Sequence, residues 1–554
     1  MSARRTVPRR IVPGLAGAAG LIAGLTLLSR VVGFGRWFVF AAAVGSTCTG
    51  TAYQAANTIP NVLFEVVAGG ALAACVIPLL SGPLLSGGAV AGDRAVADRT
   101  ASGLLTWAVL ALVPLAVLLA LLAGPVAGLL GRAGCPGQSA QTARMLVVFA
   151  PQVALYGVGV VLSGVLQAHR RFVAPALAPL LSSLVVIGAY AGYGNLAQGR
   201  QGTDWVPGRG TELVLSLGTT LGVAVLSLPL LVPTRRAGVR LRPTLRLPPG
   251  VAARARRLAL AGLAGLVAQQ VVVLTALLLT TRRGVGTINV YTYVQAVYLL
   301  PYAVLAVPIA TAAFPQLSER AAAADAAGYA ATLSRSTRLV VLAAAAGAVV
   351  LVAAAPAVGQ VFTAVDASRS GGPGAAALGG FADALTAFAP GLVGLALIAH
   401  LGRGLFAAGQ VRWAAVSTAG GWLLAAALSV VLVGTVADGA AATLLALGLA
   451  SSVGMTAAGA ALLVGAGRLR VGAVRPDGVL LGVPRALAAA LVAGSVAAAA
   501  GRWVTDALLT GGVPAALLAG AVGAAAAAAL LTAGWALAGG EDVRALAHRR
   551  PVSR

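Results

Sequence analysis

Lysine is absent from this 554-residue chain: its 39 basic residues are all arginine, set against only 14 acids and 3 histidines. Charged residues make up 10% of the sequence, where a soluble domain averages about 25%, so a soluble globular fold is excluded. Three cysteines, Cys48, Cys75 and Cys135, exclude a disulfide framework and show no metal-ligand spacing. Cys48 and Cys135 fall in loops of the same face, so one bridge between them is possible, while free buried thiols are the simpler reading. Metalloprotease, hydrolase-elbow and phosphate-loop signatures are all missing, which leaves no support for an enzyme, a bound cofactor or ATP-driven work.

What the chain has in quantity is apolar length. It is 59% hydrophobic with a mean hydropathy of +0.93. Continuous, non-alternating runs of about 20 residues recur roughly fourteen times, from 14–44 to 513–539, which predicts an all-α polytopic membrane protein and not a barrel. The net charge of +25 first suggests nucleic acid. Its placement argues otherwise. With the N-terminus inside, roughly 28 arginines fall on inner loops and roughly 7 on outer ones, the asymmetry that orients membrane proteins, here with both termini cytoplasmic. Arginine without lysine most plainly reflects coding bias. Residues 1–10, MSARRTVPRR, resemble a signal n-region, but the run that follows is too long and too charged for one, so it is read as a retained first span.

The segment 235–257, dense in arginine and proline, divides the spans into six and eight and suits contact with anionic headgroups. Span 2 and span 8 echo each other: Ile59-Pro60 through Pro78-Leu79-Leu80-Ser81, and Leu300-Pro301 through Pro315-Gln316-Leu317-Ser318. The echo implies two six-span repeats, 1–234 and 258–466, with two further spans in 467–540 and a basic tail, 541–554.

The stretch Ser29–Ser81 carries Arg30, Arg36 and Glu65 at membrane depth. A charge there costs roughly 2.5–3.5 kcal/mol on insertion scales, and such charges usually line a cavity. Arg30 and Arg36 are about 240° apart on an unbroken helix, so Gly33 and Gly35 are expected to bend the span and bring both guanidiniums to one phosphate-sized site. The alternative is that Arg30 snorkels or pairs with Glu65, for which an arginine partner is expected in either case. Glu65 is otherwise a candidate proton carrier. Asn57 and Asn61 flank the Pro60 kink and can satisfy the carbonyls it frees. On span 8, Tyr291, Gln295, Tyr298 and Tyr302 share one face over about 16 Å, with Pro301 as a hinge; Gln269 and Gln270 add mid-span amides. These residues suit the wall of a central cavity, or helix packing.

SRVVGFGRWFVFAAAVGS, NTIPNVLFEVVAGGALAACVIPLLS and LPYAVLAVPIATAAFPQLS together resemble the MurJ/MviN family of lipid II flippases, within the MATE-like exporter group. The resemblance implies about fourteen transmembrane helices, with two six-helix lobes around a central cavity and two extra helices forming a groove for a polyprenyl tail. It implies an undecaprenyl-diphosphate-linked peptidoglycan precursor as substrate, membrane lipids and possible cell-wall synthesis proteins as partners, the bacterial inner membrane as location, and cavity arginines holding the diphosphate. Arg30 and Arg36 match its basic positions in the first helix. The chain departs from the family pattern at Thr51, where an acid is usual, at Phe64 and Glu65, where bases are usual, and at Ala296, where an arginine is usual. These departures leave open another lipid-linked polysaccharide or amphiphile as cargo, and, in a different class, a non-transporting scaffold.

Overall fold

Why the chain forms almost nothing but helices follows from its solvent: in hydrocarbon each backbone N–H and C=O must be satisfied within the segment. The computed structural model describes residues 13–66, 76, 79–80, 91–131, 135–202, 207–248, 251–368, 372–471, 474 and 477–537. The first bundle holds α1 (Pro13–Ala43), α2 (Cys48–Phe64), α3 (Ala91–Leu121) with its short continuation α4 (Ala123–Leu130), α5 (Gln138–Phe149), α6 (Pro151–Ala168), α7 (Val173–Ala197), α8 (Arg209–Ser227) and α9 (Leu231–Arg236). The second holds α10 (Val251–Thr280), α11 (Thr287–Pro301), α12 (Val307–Ala322), α13 (Ala326–Val365), α14 (Ala375–Gly379), α15 (Phe381–Phe388), α16 (Gly391–Ala407), α17 (Val411–Thr435) and α18 (Gly439–Gly467). Then come α19 (Val483–Leu508) and α20 (Val513–Leu537), which pack on each other and on α13.

Among the described residues twelve helical stretches are long and apolar enough to cross a membrane, thirteen if the bent pair α15 and α16 is one span. With α2 they follow the fourteen expected spans in order. Pro78 and Ser81, the exit of the first repeat, lie outside the described residues, as do the N-terminal ten residues and the tail 541–554.

Side chains set the details. Thr47 caps α2 by accepting from Gly50 N at 3.1 Å, and Asp325 caps α13 through Gly328 N at 2.9 Å. Without a hydrophobic drive between helices in lipid, close approach at small residues takes over. In α17 and α18 a Cβ on Gly421 would stand 2.7 Å from Gly454 O. The linker after α9 lies along α3 as a strap. Ser102 Oγ accepts from Arg242 N and donates to Arg240 O, Thr106 Oγ1 accepts from Thr244 N, and Trp107 Nε1 donates to Leu245 O.

Cys48 and Cys135 form a disulfide with Cα atoms 5.8 Å apart. The expectation of free thiols therefore gives way to the bridge for this pair. It joins the start of α2 to the loop before α5, on the face where α1 ends.

Candidate functional site

The two bundles touch on one side only, as far as the described contacts run. Each cross-bundle hydrogen bond lies where α1 and α13 end and α2 and α11 begin, the face opposite the N-terminus. Asn289 Nδ2 donates to Gly45 O at 2.6 Å, Gly286 N to Thr51 Oγ1 at 2.9 Å, Ala367 N to Ala41 O at 2.8 Å, and Arg282 Nη2 to Leu129 O at 3.4 Å. At the centre is Asp366, fully buried at the end of α13. It accepts from Ser46 N at 2.9 and 3.0 Å, from Ser46 Oγ at 3.0 Å, from Tyr293 OH at 3.2 Å, and from Ser368 N and Oγ at 2.9 and 2.8 Å. Under this latch stacks an aromatic layer: Phe38 on Phe362 at 4.9 Å, Phe362 on Tyr293 at 4.9 Å, and Trp37 edge-on to Tyr293 at 6.5 Å. The described contacts close the molecule at this face.

Arg36 sits seven residues before the end of α1, about 10 Å along the helix from the latch. It is half-buried, its guanidinium is 5.3 Å from the Trp37 ring centre, and its Nε is buried without a hydrogen-bond partner. Tyr53, Tyr156 and Tyr190 all lie within its electrostatic reach. These tyrosines are themselves fixed: Tyr53 OH meets Tyr190 OH and Thr219 Oγ1, each at 2.9 Å, and Tyr156 OH donates to Asn61 Oδ1 at 3.0 Å while its ring lies 4.4 Å from Phe64. Asn61 thus orients a neighbour of Arg36. Asn57 is half-buried one turn earlier.

Three expectations need correction. Gly33 and Gly35 do not break α1, which is helical throughout Pro13–Ala43. Two helix-interior glycines cost about 1 kcal/mol each, too little to overcome the backbone hydrogen bonds that hydrocarbon demands. Arg30 is exposed and lies six residues nearer the N-terminal end of this continuous helix. Glu65 is exposed and makes no ion pair with Arg30 or Arg36 within 4 Å among the described residues. It does lie within electrostatic reach of Tyr156, as Arg36 does.

The span 8 residues come together, but not in the space between bundles. Tyr291, Gln295, Tyr298 and Tyr302, with Gln269 of α10, line a chamber of about 610 Å³ inside the second bundle, walled also by Phe388, Trp422 and Met455. Gln295 Nε2 donates to Tyr291 OH at 2.9 Å, and Tyr298 OH is buried without a partner. Gln270 is buried away from the chamber. Following Pro301, Tyr302–Ala306 form a π-helical turn, and α2 likewise passes into a π-turn at Glu65 and Val66 after Pro60. Such turns often mark functional irregularities in helices, and both fall in the paired spans.

Sequence reasoning missed Asp366, Arg403 and the Arg144–Glu212 pair. Arg144 Nε and Nη2 hold Glu212 Oε1 and Oε2 at 3.1 and 2.6 Å, tying α5 to α8. A second groove, of about 470 Å³, runs between α13, α16, α18 and α19, lined by Val349, Val352, Val393, Leu397, Leu487 and Leu491 among others.

Comparison with known proteins adds the following. Residues 40–517 match the sequence model of the family described as Lipid II flippase MurJ. The chain is 32% identical over 246 residues to the probable lipid II flippase MurJ of Synechocystis sp., covering 42% of this chain and 43% of that protein. It is 29% identical over 398 residues to the lipid II flippase MurJ of Burkholderia cenocepacia, covering 71% and 73%. The first match thus spans less than half of that relative's length. Among solved structures, a lipid II flippase MurJ in an inward closed conformation superposes with a TM-score of 0.69 at 17% identity, covering 93% of this chain and 99% of that one. An inward-facing MATE multidrug transporter gives 0.60 at 14%, covering 85% and 98%. At such identities these two likenesses are of fold.

Proposed function

The chain belongs to the lipid II flippase MurJ family, and from that membership together with the one-sided closure of its bundles we propose that it moves lipid II from the inner to the outer leaflet by alternating access. The observation that carries the mechanism is the Asp366 latch: two bundles joined only near one face, among the described contacts, can rock about that face and then exchange it for the other. Residues 1–234 and 258–466 are the moving lobes, and 238–247, strapped to α3, passes the chain between them. Arg36 receives the diphosphate. An arginine does not lose its proton in a protein, so a half-buried one with an unpartnered Nε calls for an anion, and its planar fork fits phosphate oxygens. The α13–α19 groove takes the polyprenyl tail, its wall being chiefly aliphatic.

The N-terminal face is cytoplasmic. Arginine asymmetry favours it, and so does the Cys48–Cys135 bridge on the opposite face, since disulfides persist in oxidising compartments. A second reading, another amphiphile as cargo, draws on the chamber of the second bundle, whose wall of three tyrosines, Phe388 and Trp422 suits an aromatic or apolar group. A scaffold has no use for Arg36 as placed.

Complementation tests the proposal. In a strain depleted of its lipid II flippase, expression of this chain should restore growth and cell shape. Normal membrane expression without rescue would count against lipid II as the cargo.

A further inference from the structure

Arg403 lies on α16 between Ile398 and Phe406, which both face the chamber of the second bundle. It is half-buried, its Nη1 is buried with no hydrogen-bond partner, and no carboxylate stands within 4 Å of it among the described residues. Tyr302, part of the chamber wall, lies within its electrostatic reach. One turn earlier on the same side is His400, 1% exposed. Its Nε2 meets Ser336 Oγ at 3.0 Å and its Nδ1 is buried and unpartnered. Arg403 and His400 also interact electrostatically.

Buried polar groups are nearly always hydrogen-bonded, so two orphans at i and i+3 mark a spot that something else fills. Snorkelling does not account for Nη1, because a snorkelling guanidinium delivers its terminal nitrogens to water or headgroups and this one is buried. Packing does not account for it either, since leaving a fixed charge unpaired is the expensive way to fill space.

We propose that Arg403 is an anion-binding residue of the second bundle, taking a phosphate oxygen of the transported lipid's headgroup at the edge of the chamber. The proposal rests on the flippase reading. Arg36 serves the first bundle, Arg403 the second, and each lobe then has its own hold on the anionic group. His400 Nδ1, once ligand is present, is the adjacent hydrogen-bonding site.

The test uses the full-length protein in nanodiscs, with binding followed by native mass spectrometry for undecaprenyl diphosphate, neutral undecaprenol and phosphatidylglycerol, and with inorganic pyrophosphate as competitor. Arg403→Gln should weaken undecaprenyl diphosphate about tenfold or more, as expected for loss of a charged hydrogen bond, and leave undecaprenol unchanged. Pyrophosphate should compete in the unsubstituted protein and lose potency in the variant. Arg403→Lys, which keeps charge but loses the fork, should weaken the diphosphate lipid about threefold and serves if the Gln variant does not fold. Equal loss for phosphatidylglycerol and the diphosphate lipid would show a general anionic-lipid contact and overturn the proposal. So would unchanged diphosphate affinity in Arg403→Gln, or in Arg403→Lys should that variant decide, while Arg36→Gln loses it; either result leaves the flippase reading standing. No binding of undecaprenyl diphosphate by the unsubstituted protein would overturn both.

Discussion

Replacing Asp366 by asparagine exchanges one carboxylate oxygen for NH2 with little change of size or shape, yet it should loosen the closed face. Both carboxylate oxygens receive the Ser46 N–H, at 2.9 and 3.0 Å, and Ser46 Oγ adds a third contact at 3.0 Å. Whichever way the amide turns, its NH2 meets donors. The amide oxygen still accepts from Ser46 N in either orientation, so the change costs closure about one hydrogen bond to a charged group, about 1.5–3 kcal/mol. At about 1.4 kcal/mol per factor of ten, the ratio of closed to open should fall by roughly 10 to 10². Spin labels at exposed Ala140 and Asp438, on α5 and beside α18 at the closed face, read this by pulsed electron resonance with Cys75 replaced and the native bridge intact. Asp366→Asn should add a longer-distance population. An unchanged distance distribution would refute the latch, since among the described residues no other cross-bundle contact places a buried carboxylate under several donors.

Three further outcomes follow from the same geometry. Gly286 has φ +77°, and a Cβ there would stand 2.7 Å from Ser46 Cβ, so Gly286→Ala should wedge the lobes apart and lengthen the same label distance. Replacing Cys48 and Cys135 together by serine, or reducing the bridge, releases a loop of 87 residues worth up to about 4.6 kcal/mol in the chain-entropy view; the thermal midpoint in detergent should fall by several degrees. Arg36→Gln should abolish rescue of a flippase-depleted strain, while Arg30→Gln, exposed and nearer the N-terminal end, should reduce it less; growth curves at matched expression decide between them.

Hydropathy made the spans legible because a helix must bury its backbone and lipid demands apolar length. The face of Tyr291, Gln295, Tyr298 and Tyr302 was readable from its period, but a period gives no partner, and these residues proved to wall a chamber in one bundle instead of the space between two. Gly33 and Gly35 misled for an energetic reason: helix breaking in a membrane has no water to receive the freed carbonyls. Asp366 gave no sequence signal. It is one acid after a long span, and its role exists only because Ser46, 320 residues away, arrives beside it. Nothing in the sequence singles out Arg403; its buried, unpartnered Nη1 does. The Cys48–Cys135 pairing needed a distance that spacing cannot supply.

Lipid II translocation by the purified full-length chain in proteoliposomes tests the central claim most directly. Lipid II placed in one leaflet should reach the other at a rate that rises with protein content and is lost in Arg36→Gln. Translocation no faster than in protein-free vesicles, with a folded and correctly inserted protein, would contradict the account.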